Sequence, residues 1–261
     1  MEQFSAITSF IQVAVLAVFM VMSVRLLIKH TESLTAVFLS FVFGLWFLSN
    51  IYWLIYNFMR PDIRMPFAAN EIGEAGMILM LAALINSAVP HGSRAAVKQM
   101  TGAVIFSIFN VILWIGWSGE WVQDIFSGLV LMWLLSSVVC ALKVVHALSK
   151  TEWILTGVYC AVLIAGQGLT FFFEEPVKSG IDLGCYVLLS LGILYWIIKF
   201  FLSFKRDHSD KKQLVLAFAI LVWTIVALFM SSGLFYTIYL NIETLTVIAI
   251  YLAVEKVVKE S

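Results

Sequence analysis

The chain has 261 residues, of which 62% are hydrophobic and 12% are charged, and its mean hydropathy is +1.00. A soluble globular domain carries about twice that share of charge, so the composition excludes an ordinary water-soluble fold. The 16 Lys and Arg residues balance the 16 Asp and Glu residues, and no basic patch suits nucleic acid, so we expect no nucleic-acid partner.

Apolar runs near 20 residues recur along the whole chain, and runs of this length are typical of transmembrane helices. We therefore predict an all-α fold, a polytopic transmembrane helix bundle of about nine spans. The predicted spans are 4–28, 34–59, 67–89, 101–117, 125–148, 153–173, 181–204, 213–232 and 234–254. The connections are short, so residues 1–261 are interpreted as a single integral membrane domain with no separate soluble domain. The break at 231–233 carries no charge, and if the last two runs do not both span, the number of spans falls to seven or eight.

The basic residues are distributed unevenly between the two sides of this predicted bundle. When alternate connections are assigned to alternate sides, one side holds only Arg60, Arg64 and Lys178. The other side holds the remaining 13 of 16: Arg25, Lys29, Arg94, Lys98, Lys143, Lys150, Lys199, Lys205, Arg206, Lys211, Lys212, Lys256 and Lys259. The positive-inside rule makes that side cytoplasmic, which predicts an outside N-terminus and a cytoplasmic C-terminus. We expect a cell membrane, and specifically a bacterial plasma membrane.

Polar side chains within the predicted spans are concentrated in the outer half of the bundle. An ionisable residue at bilayer depth costs roughly 2.5–3.5 kcal/mol on insertion scales, so such residues mark candidate sites. The candidate substrate- or ion-binding residues are Glu71, Glu74, Glu243, Asn50, Asn110 and Gln167. Glu243 lies deepest, near the middle of the last span.

Helical spacing places aromatic residues beside these candidates. Trp46, Asn50 and Trp53 share one face, Asn110 shares a face with Trp114, and Tyr236, Tyr239 and Glu243 share another. Carboxylates next to aromatic faces suit a cationic ligand, because Coulomb attraction adds to cation–π contacts of about 0.5–2 kcal/mol per ring. The predicted aromatic lining is Trp53, Trp114 and Tyr239.

Each candidate also has a structural interpretation. Trp and Tyr anchor many proteins at membrane interfaces, and Asn and Gln in spans often hydrogen-bond to neighbouring helices. Glu71 follows Pro66 closely, so it could lie in the first helical turn, where the helix dipole favours an acid, or pair with Arg60 or Arg64. Separately, Gly157, Ala161 and Ala165 repeat every four residues and predict a close helix contact on the sixth span.

The sequence gives little support for a cofactor. All four histidines (His30, His91, His146 and His208) fall at or beyond cytoplasmic helix ends, so a haem buried in the bilayer would have no histidine ligands. We expect no retinal either, because the final spans have no lysine at mid-depth. The cofactors stay unknown, and so does a metal, although Glu71 and Glu74 could share a divalent cation.

Three functions fit these residues. The first is an ion-coupled transporter of a small solute, with a cation as one candidate, because buried carboxylates can bind a cation or carry a proton. The second is a membrane sensor or accessory subunit that binds a ligand at the outer face and signals through a partner membrane subunit. The third is a membrane-embedded enzyme acting on a lipid, which the missing histidine and serine motifs disfavour. The expected partners are the lipid bilayer, a small-molecule or ion ligand and, for the second function, that partner subunit.

Overall fold

The computed structural model describes residues 2–59, 67–89, 97–206, 210–231 and 233–260, and they form a bundle of α-helices. The helices within these ranges are α1 Glu2–Lys29, α2 Leu34–Met59, α3 Phe67–Ser87, α4 Val97–Ser118, α5 Trp121–Val144, α6 Lys150–Leu169, α7 Val177–Arg206, α8 Asp210–Met230 and α9 Gly233–Glu260. Each corresponds to one predicted span, so the predicted all-α bundle is confirmed.

The helices are long and apolar enough to make this an integral, multipass membrane protein. Over the described residues, eight helices could each cross a bilayer, while α3 contributes a shorter apolar segment, Gly73–Ile85. The break at 231–233 separates two such helices. α8 ends at Met230, and α9 begins at Gly233, whose φ of +59° favours glycine at this position. The side of the membrane that each end faces stays a prediction.

Contacts between helices divide the bundle into two rings that share α5 and α8. The first ring contains α1, α2, α3, α5, α8 and α9, with neighbours packed in the order α1–α2–α3–α5–α8–α9 and α9 against α1. The second ring runs α4–α5–α8–α7–α6 and closes where α6 packs on α4. Because α8 belongs to both rings, 89% of its span is buried, and it forms the centre of the core.

The α6 helix lies at the periphery, which corrects one prediction. Only 6% of its span is buried, and Leu163 is its one buried residue within the described part of the chain. Gly157, Ala161 and Ala165 do not form the predicted close helix contact. They line a groove instead, and a Cβ added at Gly157 would meet no heavy atom within 4 Å.

A close approach between two helices lies at Gly128, where α5 packs on α4. A Cβ added at this glycine would lie 1.9 Å from Val111 Cγ2, so only glycine fits without a shift. On the other side of the bundle, Gly73 of α3 lies close to Ser49 of α2, since an added Cβ would be 3.2 Å from Ser49 Cβ. This second approach holds the first half of α3, which carries Glu74, against α2.

Candidate functional site

The first ring encloses a cavity of about 530 Å³, a size typical of small-molecule sites. Side chains from all six helices of the ring line it. Its polar and aromatic lining residues are Gln12, Trp46, Asn50, Trp53, Glu74, Gln123, Phe229, Ser231, Tyr236 and Glu243. This concentration of polar groups contrasts with the apolar core around it.

The cavity lies towards the end of the bundle at which α1, α3, α5 and α9 begin. At a rise of 1.5 Å per residue, Glu74 lies about 10 Å along α3 from its start, and Glu243 about 15 Å along α9. Trp46, on α2, lies about 20 Å from the end of that helix at Met59. The cavity therefore reaches towards the middle of the membrane, and the predicted orientation would place its shallow end on the outer side.

Glu243 is the deepest charged group of the cavity. It is 6% exposed, and Gln12 Nε2 donates a hydrogen bond to its Oε2 at 3.1 Å. Gln12 is itself buried on α1, so this bond links α1 to α9. A buried carboxyl group needs hydrogen-bond donors or an opposite charge, and the Gln12 amide supplies one donor.

Glu74 of α3 brings a second carboxyl group to the same cavity. It lies close enough to Glu243 for the two groups to interact electrostatically. Among the described residues that line the cavity there is no Lys, Arg or His. The described lining therefore offers two carboxyl groups, which suit a positively charged occupant.

Neutral groups complete the cavity wall. Asn50 Nδ2 donates to the carbonyl oxygen of Trp46 at 2.9 Å, which leaves the side-chain oxygen as the end of the amide that can bind a cation. Trp46, Trp53 and Tyr236 contribute aromatic surface next to the two carboxyl groups. Rings beside acids give an organic cation both cation–π and Coulomb attraction.

The structure brings four of the predicted residues together, since Asn50, Trp53, Glu74 and Glu243 all line this cavity. The side chain of Glu71 lies outside the described residues. Asn110 is fully buried on α4, where its Nδ2 donates to the Phe106 carbonyl oxygen at 2.8 Å. It is not part of the cavity lining, and its Oδ1 has no hydrogen-bond partner among the described residues.

Gln167 and Trp114 line a different cavity, of about 250 Å³, at one end of the second ring. Trp114 packs on Phe229 with ring centroids 5.3 Å apart, and Phe229 in turn lines the larger cavity. This aromatic pair therefore lies between the two cavities. Gln167 does not reach the carboxyl groups of the larger cavity, because α6 belongs to the other ring.

Tyr239 faces α7 instead of the cavity. Its hydroxyl donates to the Tyr186 carbonyl oxygen at 2.8 Å and lies 2.9 Å from Ser190 Oγ. Tyr236 takes its place on the cavity wall, because seven residues make almost two full helical turns and align Tyr236 with Glu243. Tyr239 lies four residues from Glu243, which is more than the 3.6 residues of one helical turn. It therefore lies to one side of the line that joins Tyr236 and Glu243.

Sequence reasoning missed two amides of the cavity, Gln12 and Gln123. Gln12 is the polar interruption in an apolar run on α1, and its distance from the helix start matches that of Glu243. That match in depth was the available signal. Gln123 lies at the beginning of α5, where polar residues are ordinary, so no signal distinguished it.

Comparison with protein-family models, with curated proteins and with solved structures finds no match for this chain. The chemistry of the cavity is therefore the basis for a functional proposal. Among the described residues, no group of three or more His, Cys, Asp and Glu side chains is arranged to hold a metal ion.

Proposed function

We propose that the protein is an ion-coupled transporter of a small cationic solute. One observation carries the proposal: a cavity of about 530 Å³ inside a multipass membrane bundle is lined by Glu74 and Glu243 and, within the described part of the chain, by no basic side chain. Acids within membrane spans that face a cavity mark ion or substrate pathways.

The cavity's shape and lining favour a small organic cation as the solute. Its volume exceeds what a bare metal ion needs, and Trp46, Trp53 and Tyr236 supply aromatic surface beside the acids. Glu74, on the shallower side, would meet the solute first. Glu243, held by Gln12, would bind the solute or the coupling ion at the deepest point.

The fluxes of the solute and the coupling ion would be linked because both bind to the same carboxyl groups. If a proton or Na⁺ and the solute compete for Glu243, the release of one favours the binding of the other. Alternating occupancy of a single buried acid then links the two fluxes without any further site.

Uptake into proteoliposomes tests this proposal. We expect the purified protein to accumulate radiolabelled tetramethylammonium when a proton or Na⁺ gradient is imposed, and Glu243→Gln to abolish that uptake. Glu255→Gln is the matched control, because Glu255 lies on the same helix but pairs with Lys259 at 2.8 Å, away from the cavity. Saturable binding without uptake would refute transport and favour a sensor or accessory subunit.

A further inference from the structure

The second ring encloses an apolar groove of about 540 Å³, as large as the carboxylate cavity but opposite in character. Its described lining residues include no charged side chain, and aliphatic and aromatic groups dominate the wall. The hydroxyl of Thr156 is already used, since it donates to the Glu152 carbonyl oxygen at 2.8 Å. The groove therefore suits a hydrocarbon and offers little to an ion or a polar solute.

The groove has about the length of one membrane leaflet. Along α6 its lining extends from Trp153 to Ala165, which corresponds to about 18 Å of helix. Half of a hydrocarbon core that is roughly 30 Å thick is about 15 Å. A hydrocarbon chain in this groove could thus run from the membrane interface to the bilayer centre.

The groove opens towards lipid between α4 and α6. Ile105 and Phe109 of α4 line it and are nevertheless 51% and 48% exposed. Opposite them, Ala161 and Ala165 of α6 also line the groove and are exposed. Because these side chains of α6 are small, the groove between α4 and α6 stays open where larger side chains would fill it.

The groove is large enough for a whole hydrocarbon chain. A single file of carbon atoms about 4 Å wide needs roughly 230 Å³ over a length of 18 Å, which is less than the 540 Å³ of the groove.

The end of the groove near Leu142 and Leu148 is basic. Lys143 follows the first of these residues, and Lys150 lies two positions after the second. Glu152, the acid nearby, is paired with Lys199 at 2.8 Å. Lys143 and Lys150 are thus two basic residues adjacent in sequence to this end of the groove, and basic residues at an interface attract anionic lipid.

We propose that this groove binds an acyl chain of an anionic phospholipid, with the lipid phosphate at Lys143 and Lys150. The two lysines favour a lipid with an anionic headgroup, and the apolar wall of the groove contacts the acyl chain of that lipid. This lipid site lies in the second ring, whereas the carboxylate cavity lies in the first. A test of lipid binding therefore does not depend on whether the protein transports a solute.

Native mass spectrometry of the full-length protein tests the proposal, with dioleoyl phosphatidylglycerol compared against dioleoyl phosphatidylcholine. We expect the protein to retain phosphatidylglycerol in preference. The double substitution of Gly157→Leu with Ala161→Leu should reduce retention of either lipid by at least about tenfold, because its side chains fill the groove. Gly184→Leu is the matched control, since Gly184 is an exposed glycine of α7 with no heavy atom within 4 Å and no place in the groove lining. It should retain lipid as the wild type does.

A second variant tests whether the lipid headgroup binds to the two lysines, and it leaves the lining of the groove unchanged. Lys143→Gln combined with Lys150→Gln should remove the preference for phosphatidylglycerol while both lipids are still retained. Undiminished retention in the filled variant, if it remains folded by thermal unfolding, would overturn the proposal. A wild-type dimer that becomes monomeric in the filled variant, with no lipid bound to either, would also overturn it and make the groove a contact between copies.

Discussion

The hydrogen bond between Gln12 and Glu243 predicts a measurable energetic coupling between α1 and α9. Gln12 is 2% exposed and Glu243 is 6% exposed, and their side chains meet at 3.1 Å. Gln12→Leu removes the donor, and leaving a buried polar group without its partner costs about 1–3 kcal/mol. Glu243→Leu should lower the free energy of unfolding by a similar amount, because it leaves the buried amide of Gln12 without its acceptor.

The double variant distinguishes an energetic coupling between the two side chains from two independent losses of stability. With Leu at both positions neither polar group remains, so we expect a stability close to that of the wild type and a coupling energy equal to the sum of the two single losses, roughly 2–6 kcal/mol. Unfolding in mixed micelles with increasing SDS, followed by tryptophan fluorescence, measures all four proteins. If the two single effects simply add to within about 0.5 kcal/mol, the two side chains do not interact and our account of how Glu243 is held is wrong.

Three further predictions test the packing around the site by thermal unfolding. Gly128→Ala should destabilise the protein by about 1–3 kcal/mol, because the new Cβ would lie 1.9 Å from Val111 Cγ2. Val111→Ala in the same chain should restore most of that loss, whereas Gly44→Ala, in open space, should change little. Tyr239→Phe should cost about 1 kcal/mol yet leave cation binding unchanged, since its hydroxyl bonds to α7 outside the cavity; weakened binding would contradict that placement. Ser149→Ala should cost about 0.5–2 kcal/mol, because it removes the capping box at the start of α6.

The helices were predictable because the membrane demands apolar runs of a fixed length, and those runs are visible in the sequence. Even the uncharged break before Gly233 proved to separate two helices, each long enough to span. Within the described residues, the apolar segment of α3 is Gly73–Ile85, and it includes Glu74, which lines the cavity.

The composition of the site was less predictable, because sequence position gives depth in the membrane but not the neighbours of a helix. Glu74 and Gln167 were both predicted to lie in the outer half of the bundle, yet they lie in different rings. The order of helices around the bundle depends on close packing, such as that between Gly128 and Val111, which no periodicity reveals. Gln12 was missed for the same reason, since nothing in the sequence shows that α1 packs against α9.

The central claim is that Glu74 and Glu243 together bind a cation, and calorimetric titration of the purified protein with tetramethylammonium tests it most directly. We predict saturable binding to the wild type and to Glu255→Gln. Glu74→Gln and Glu243→Gln should each weaken binding by about tenfold or more, because an interaction with a charged group is worth roughly 1.5–3 kcal/mol. Equal affinity in the wild type and both cavity variants, or no binding to any of them, would contradict the account.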